Sequence, residues 1–268
     1  MDASTASDFL NRLASSAETA IMPHFRANAS VENKLGEGFD PVTVADRDAE
    51  IALRDLITSE YPRHGIVGEE FGDLHPEAEH VWVLDPIDGT RAFISGLPVW
   101  GTLIGLTHRR RPILGMMAQH FTGERFAGDC ERAWYTGPGG PADLTTRACA
   151  RLSEAVMFTT SPYLFSPTER PYYRQAEAAV RLARYGCDCY AYCMVAAGHA
   201  DVVIEAGLNP YDIVALIPVI EGAGGRVTTW DGGSAERGGR IVATGDPRLH
   251  DEVLEILANT PDEPAAPT

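Results

Sequence analysis

The residues of this chain best placed to do chemistry are two carboxylates three positions apart, Asp85 and Asp88. They lie in the stretch Trp82-Val83-Leu84-Asp85-Pro86-Ile87-Asp88-Gly89-Thr90-Arg91. Its apolar start reads as a buried strand. The strand breaks at Asp85-Pro86, because a residue before proline is pushed away from helical angles. Gly89 can take backbone angles closed to other residues. A strand ending in such a turn can aim both carboxylates at one point. That point suits a hard divalent cation such as Mg²⁺, which takes oxygen ligands and keeps positions for water and phosphate. Gly89 and Thr90 then bring backbone N–H groups to a helix start, where an anion can bind. The same pattern also fits a plainer reading, in which Asp85 closes a strand at the surface and Asp88 caps a helix.

The elements that must position these acids can be read from periodicity. Residues 5 to 26 carry Phe9, Leu10, Leu13, Ala17, Ala20, Ile21 and Phe25 at helical spacing. Residues 31 to 43 read as a loop or hairpin. Asp46 opens a second helix with Ile51, Leu53, Leu56 and Ile57 as its apolar positions, and Tyr61-Pro62 ends it. Gly65 to Gly68 is a short strand running into Glu69-Glu70, where one glutamate could join Asp85 at a metal. Strand-like runs follow at 99–107 and 112–120, joined by a solvated Arg109-Arg110-Arg111 tip, with a further hairpin at 124–136. The Gly137-Pro-Gly-Gly-Pro141 breaker suggests a boundary between two units, 1–140 and 141–258, ahead of an apolar-poor tail at 259–268. In the second unit, strands at 156–160, 202–205, 226–229 and 240–243 alternate with helices at 168–184, 189–199, 211–222 and 247–258. That alternation indicates an α/β class.

Bulk composition narrows the function. The 268 residues carry a formal net charge of −16, which argues against broad nucleic-acid or anionic-membrane binding. Phosphorylated substrates stay compatible where metal ions mask the acids. The sequence shows no membrane-length apolar run and no signal-peptide pattern, so the expected location is the cytoplasm. The five cysteines form no C-x-x-C pair, and Cys187, Cys189 and Cys193 lack zinc-site spacing. Lys34 is the only lysine among 22 basic residues.

Taken in order, four separated segments resemble the inositol monophosphatase superfamily of lithium-sensitive, Mg²⁺-dependent phosphatases. They are Asp40-Pro-Val-Thr-Val-Ala-Asp46, Gly68-Glu69-Glu70, Asp85-Pro-Ile-Asp-Gly-Thr90, and Asn209-Pro-Tyr-Asp212 followed by Glu221-Gly-Ala-Gly-Gly225. The resemblance implies a layered α-β-α-β-α sandwich, homodimers and a small phosphorylated substrate. It implies that Glu69, Asp85 and the Ile87 carbonyl hold a first Mg²⁺, and that Asp85, Asp88 and Asp212 hold a second. A third, weaker ion would lean on Glu69. Asp46 and Thr90 would position and deprotonate the attacking water, and the N–H groups of Gly89 and Thr90 would bind phosphate. Lys34 falls near a lysine that neighbours the metals in this family. Thr90 to Gly105, Thr159-Thr160-Ser161-Pro162, Gly186-Cys187-Asp188-Cys189-Tyr190-Ala191-Tyr192 and Asn209-Pro210-Tyr211-Asp212 are similar to the histidinol-phosphate phosphatase branch. Asp188, Glu205, Arg91 and Ser161 are then the candidates for contact with substrate, the two acids facing a cationic nitrogen beyond the phosphate. The alternatives are an inositol or sugar phosphatase, an adenosine bisphosphate phosphatase, and a non-catalytic protein of the same fold.

Overall fold

The computed structural model describes residues 3–27, 31–33 and 41–261. Lys34 and Asp40 fall outside the described residues, as does 262–268 of the tail. Pro261, within the tail, accepts a hydrogen bond from Arg240 Nη2 at 3.0 Å.

The first half of the chain builds helix α1 (Ala3–Ile21), the short pair β1 (Val31–Asn33) and β2 (Pro41–Thr43), and helix α2 (Val44–Glu60). Strands β3 (Gly65–Gly68) and β4 (His80–Asp88), the turn-like α3 (Thr90–Ile94) and strands β5 (Gly101–His108) and β6 (Arg111–Gln119) follow. Strands β7 (Glu124–Gly128), β8 (Ala133–Thr136) and β9 (Ala142–Asp143) complete a seven-stranded sheet in sequential order. Only β3 and β4 run parallel in it.

The second half gives β10 (Val156–Thr159), α4 (Arg170–Ala179), β11 (Leu182–Tyr185), α5 (Asp188–Ala196), β12 (Val202–Leu208), α6 (Pro210–Ile213), α7 (Leu216–Gly222), β13 (Arg226–Thr229), β14 (Gly239–Thr244) and α8 (Pro247–Leu257). Its five strands form a mixed sheet in the order β11-β10-β12-β14-β13.

Three apolar cores separate five layers. Phe9, Leu13, Leu53, Ile57, Trp82 and Ile104 join α1 and α2 to one face of the larger sheet. Leu103, Met117 and Phe126, on its other face, meet Ala191, Val195, Leu216 and Ile220 of α5 and α7, which also rest on Val203 and Ile241. Met157, Ile204 and Val242 then pack against Tyr173 of α4 and Leu249 and Val253 of α8. The result is the α-β-α-β-α sandwich that the motifs imply. Gly115 lets the middle layer sit close, because a Cβ there would overlap the Ala215 carbonyl. No helix among the described residues is long and apolar enough to cross a membrane.

Several sequence expectations change in detail. The 168–184 segment is not one helix: α4 stops at Ala179, and Leu182–Tyr185 pairs in parallel with β10 as an edge strand. Ile51 of α2 is exposed, and Ala45, Ala49, Leu53 and Ile57 form the buried face instead. The arginine tip is a tight turn with Arg109 and Arg110 both at positive φ, and Arg109 pairs with Glu79 at 2.8 Å.

Candidate active site

The sequence reading breaks the central strand at Asp85-Pro86, but β4 runs on through Asp88 and bends without ending. Its partner register explains how. Asp85 lies opposite Leu103 and Asp88 opposite Gly101, so three steps along β4 match two along β5. In a regular strand, residues three apart face opposite sides of the sheet. The extra residue of this bulge restores the parity, and Asp85 and Asp88 share a face. The Pro86 carbonyl at the bulge accepts a hydrogen bond from Thr102 Oγ1 at 2.7 Å, and Thr102 is backed by His120 Nε2 at 2.8 Å. Gly89 follows at φ 81°, a left-handed conformation disfavoured for side-chain-bearing residues. A Cβ there would also press to 3.1 Å against the Asp188 side chain.

Asp212 reaches the same point from the other sheet. Asn209 N-caps α6, and the Asp212 carboxylate at N3 reaches back to the Asn209 N–H at 2.6 Å. Oxygens of Asp85, Asp88 and Asp212 come within 4.8 Å of one another. Each acid also has one oxygen fixed by a backbone N–H. Ile87 N–H donates to Asp85 Oδ1 at 3.0 Å, and Cys189 N–H donates to Asp88 Oδ2 at 2.7 Å. Asp85 and Asp88 also lie beside Glu69 and Asp188, so further carboxylates crowd the same point. Burial, then the charges of Glu69, Asp88 and Asp212, hold Asp85 well above the usual carboxylate range. Burial, then Asp188 and Asp212, does the same for Asp88. Mutual repulsion of this kind is relieved by a multivalent cation.

Glu69 follows β3, and its N–H donates to the Leu84 carbonyl beside Asp85. The loop is fixed by Glu50, a fully buried residue whose carboxylate accepts from Glu70 N–H at 2.8 Å and Phe71 N–H at 3.2 Å. Sequence reasoning missed Glu50, although its place four residues before Arg54, with which it pairs at 2.8 Å, was visible. Glu70 thus supplies backbone to Glu50, while Glu69 lines the cleft.

Asp46 is not the first residue of its helix. Thr43 is the N-cap, and Asp46 at N3 closes a capping box, accepting from Thr43 N–H at 2.8 Å and Thr43 Oγ1 at 2.6 Å. Those bonds use Oδ2. Oδ1 is buried with no hydrogen-bond partner among the described residues. Burial pushes the Asp46 carboxyl up to about 6, against the pull of Thr43. The Thr90 hydroxyl donates to the Ile87 carbonyl at 3.1 Å. The inferred Asp46–Thr90 pair therefore appears as two residues that each bond elsewhere.

A cleft of about 410 Å³ opens over these groups. Glu69, Asp85, Asp88, Asp188, Glu205 and Asp212 line it with Ile87, Gly89, Thr90 and Arg91. Thr160 and Tyr211, quoted above only as motif members, and Leu164, which has no sequence signal, line it as well. Asp188 is nearer the phosphate turn than expected, since it abuts Gly89 and stands beside Arg91 and Asp88. Burial raises its pKa, while Thr160 and Arg91 oppose the shift. Glu205 accepts from Thr160 N–H at 2.5 Å and Thr159 Oγ1 at 3.2 Å, yet burial still pushes it up to about 8. Ser161 is not among the lining residues; its hydroxyl oxygen accepts from Tyr163 N–H at 3.3 Å.

A five-layered sandwich that gathers carboxylates at a bulged strand, beside a turn of exposed backbone, belongs to a class of metal-dependent phosphatases. The comparisons narrow the class. The inositol monophosphatase family description matches residues 2–261. The chain is 43% identical to the bifunctional phosphatase IMPL2, chloroplastic, of Arabidopsis thaliana, over 92% of this chain and 73% of that one. It is 35% identical to a histidinol-phosphatase of Mycobacterium tuberculosis, over 81% of this chain and 84% of that protein. A solved inositol monophosphatase from Zymomonas mobilis superposes with a TM-score of 0.85 at 38% identity, covering 96% of this chain and 99% of the other. The chain belongs to the inositol monophosphatase family and is a phosphatase of that family.

Proposed function

We propose that the protein is a Mg²⁺-dependent phosphate monoester hydrolase whose preferred substrate is L-histidinol phosphate, converted with water to L-histidinol and phosphate. The observation that carries the substrate class is the charge of the cleft wall. Six acidic side chains and a single basic one, Arg91, line it. Two divalent ions offset four of those charges. Asp188 and Glu205, which no ion needs and which burial holds toward their neutral forms, match a phosphate ester whose cationic nitrogen would restore their charge. An inositol ring offers only hydroxyls. The relatives named histidinol-phosphatase support the same reading.

Asp85, Asp88 and Asp212 would hold one ion, and Glu69, Asp85 and the Ile87 carbonyl another. The close set of carboxylate oxygens and the raised pKa values of Asp85 and Asp88 fit such occupants. Bound there, divalent ions supply Lewis acidity toward the phosphate oxygens and make a neighbouring water a better nucleophile. The chain's own part is positional. Gly89 and Thr90 present N–H groups to the phosphate oxygens. Asp46 Oδ1, buried beside Glu69 with a carboxyl near pKa 6, is the atom that accepts the proton of the attacking water. Thr90 leaves the Ile87 carbonyl to steady that water.

The test is phosphate release from histidinol phosphate and inositol 1-phosphate in parallel, with Mg²⁺ and with chelator. The expected kcat/KM for histidinol phosphate is at least about tenfold higher, since a charge-assisted contact is worth on the order of 1.5–3 kcal/mol. Equal or reversed preference would instead favour an inositol phosphatase, the reading that the Zymomonas mobilis likeness supports.

A further inference from the structure

Neither the ion ligands nor the substrate contacts above use Tyr192. It sits in α5, 3% exposed, within the core between the two sheets. Its hydroxyl is buried without a hydrogen-bond partner among the described residues. The acids that act on it most strongly are Glu205, Asp88 and Asp212. A buried hydroxyl with no partner is destabilising, and phenylalanine would fill the same space without that penalty.

Position on the helix shows what the hydroxyl could serve. Cys189 precedes Tyr192 by three residues, so the two lie on one face of α5. The Cys189 N–H already holds Asp88 Oδ2, and the Asn209 N–H holds Asp212 Oδ2. The carboxylates carry further lone pairs on those fixed oxygens. Glu205 is already committed on both oxygens, to Thr160 N–H and Thr159 Oγ1. Ligating carboxylates are themselves held by outer hydrogen bonds, and removing one of those weakens metal binding about 10- to 100-fold.

We propose that Tyr192 is a positioning residue for the cation site, its hydroxyl donating to the Asp88–Asp212 pair when an ion draws their outward oxygens together. The inference rests on reading that cluster as a divalent-metal site. The ion turns the outward oxygens toward itself, and the Tyr192 hydroxyl locks the inward ones. α5 thus braces the carboxylates twice, through a first-turn N–H and through a side chain three residues on.

The experiment compares wild type with Tyr192→Phe by Mg²⁺ titration calorimetry and by thermal unfolding in chelator and in Mg²⁺. Tyr192→Phe should melt at the same or a higher temperature in chelator. Its Mg²⁺ affinity should fall about 10- to 100-fold, and saturating Mg²⁺ should restore kcat. A lower melting temperature in chelator with unchanged Mg²⁺ affinity would make Tyr192 a packing residue and overturn the proposal. Unchanged Mg²⁺ affinity with a raised KM for the phosphate ester would assign the hydroxyl to substrate, through Glu205, and would also overturn it. Failure of the wild type to bind Mg²⁺ would remove the metal reading itself, a result distinct from either of these.

Discussion

Two kinds of buried titratable group lie within this fold, and they are treated in opposite ways. His120 and His250 are buried and neutral, and their rings are met by threonine hydroxyls. Thr102 reaches His120 Nε2 at 2.8 Å, while Thr228 and Thr244 flank the His250 ring at 2.9 Å on each side. Burial holds His120 down to about 3 and His250 down to about 4. Asp85, as enclosed as these rings, and the half-buried Asp88 and Asp212 point at one another, and burial with mutual repulsion raises the pKa values of Asp85 and Asp88. Histidines that serve the fold have local partners for their neutral form. Acids that serve chemistry are each held by a backbone N–H and crowd one another, so that a cation would relieve their repulsion. The contrast separates a supporting group from a functional one where burial alone does not.

The strongest way to break this comparison is Asp85→Asn. Activity should fall by more than the ~100-fold typical of an outer-shell change. In chelator the variant should melt higher than wild type, because one of several repelling acids is gone while the Ile87 N–H keeps an acceptor. Glu70→Gln, in contrast, should retain near wild-type turnover, since the backbone of Glu70 does the holding. Loss of stability in Asp85→Asn, or equal activity in the two variants, would show that the cluster is structural.

Next in size is Asp188→Asn. The specificity constant for histidinol phosphate should fall by roughly one to two decades. Because Asp188 abuts Gly89, p-nitrophenyl phosphate is the necessary control, and its turnover should change little. A parallel loss on both substrates would move Asp188 from substrate selection to support of the phosphate turn.

Gly89→Ala probes that turn directly. A left-handed conformation costs an alanine about 1–2 kcal/mol, and contact with Asp188 adds to it. Denaturant unfolding should show the destabilisation, with activity reduced alongside it. Full stability and full activity would mean that the turn relaxes freely.

The smallest effect concerns pH. A histidine whose folded pKa lies below its unfolded value of ~6.5 contributes stability above that value and loses it as pH falls toward the folded pKa. With Mg²⁺ present, melting temperature should therefore decline between about pH 6.5 and 4. His250→Gln should show a shallower decline over the same window. In chelator the carboxylates act in the opposite sense: their raised pKa values mean that stability falls as pH rises through them. Identical pH profiles with and without metal would erase the distinction between the two groups.

Much of this organisation was legible in the chain itself. Asp85, Asp88 and Gly89 declare a turn with two acids through local spacing, and Asn209-Pro210-Tyr211-Asp212 encodes a capping box within four residues. Thr43 and Asp46 form another such box, which the sequence offered but which reads easily as a bare helix start. Alternating strands and helices indicate the α/β class because burial of one face follows from local periodicity, while the five layers came from the family resemblance. Local pattern failed where neighbours compete. Leu182–Tyr185 continues a helical composition, yet pairing with Val156–Thr159 made it a strand. Pro86 signalled a break, yet β5 supplied a partner on both sides of a bulge.

Tertiary structure alone decided the rest, because each of those contacts joins residues far apart in sequence. The Cys189 N–H reaches Asp88, Thr160 reaches Glu205, and Glu50 reaches the loop of Glu69. The oxygen of Asp85 and of Asp212 that is occupied follows from a nearby backbone N–H, whereas that of Asp88 depends on a donor from α5. The sequence determined that acids would gather at a strand end. The placement of α5 and α6 at the end of β4 brought the Cys189 N–H and Asp212 to them, since hydrogen bonds are directional and a one-dimensional pattern carries no direction.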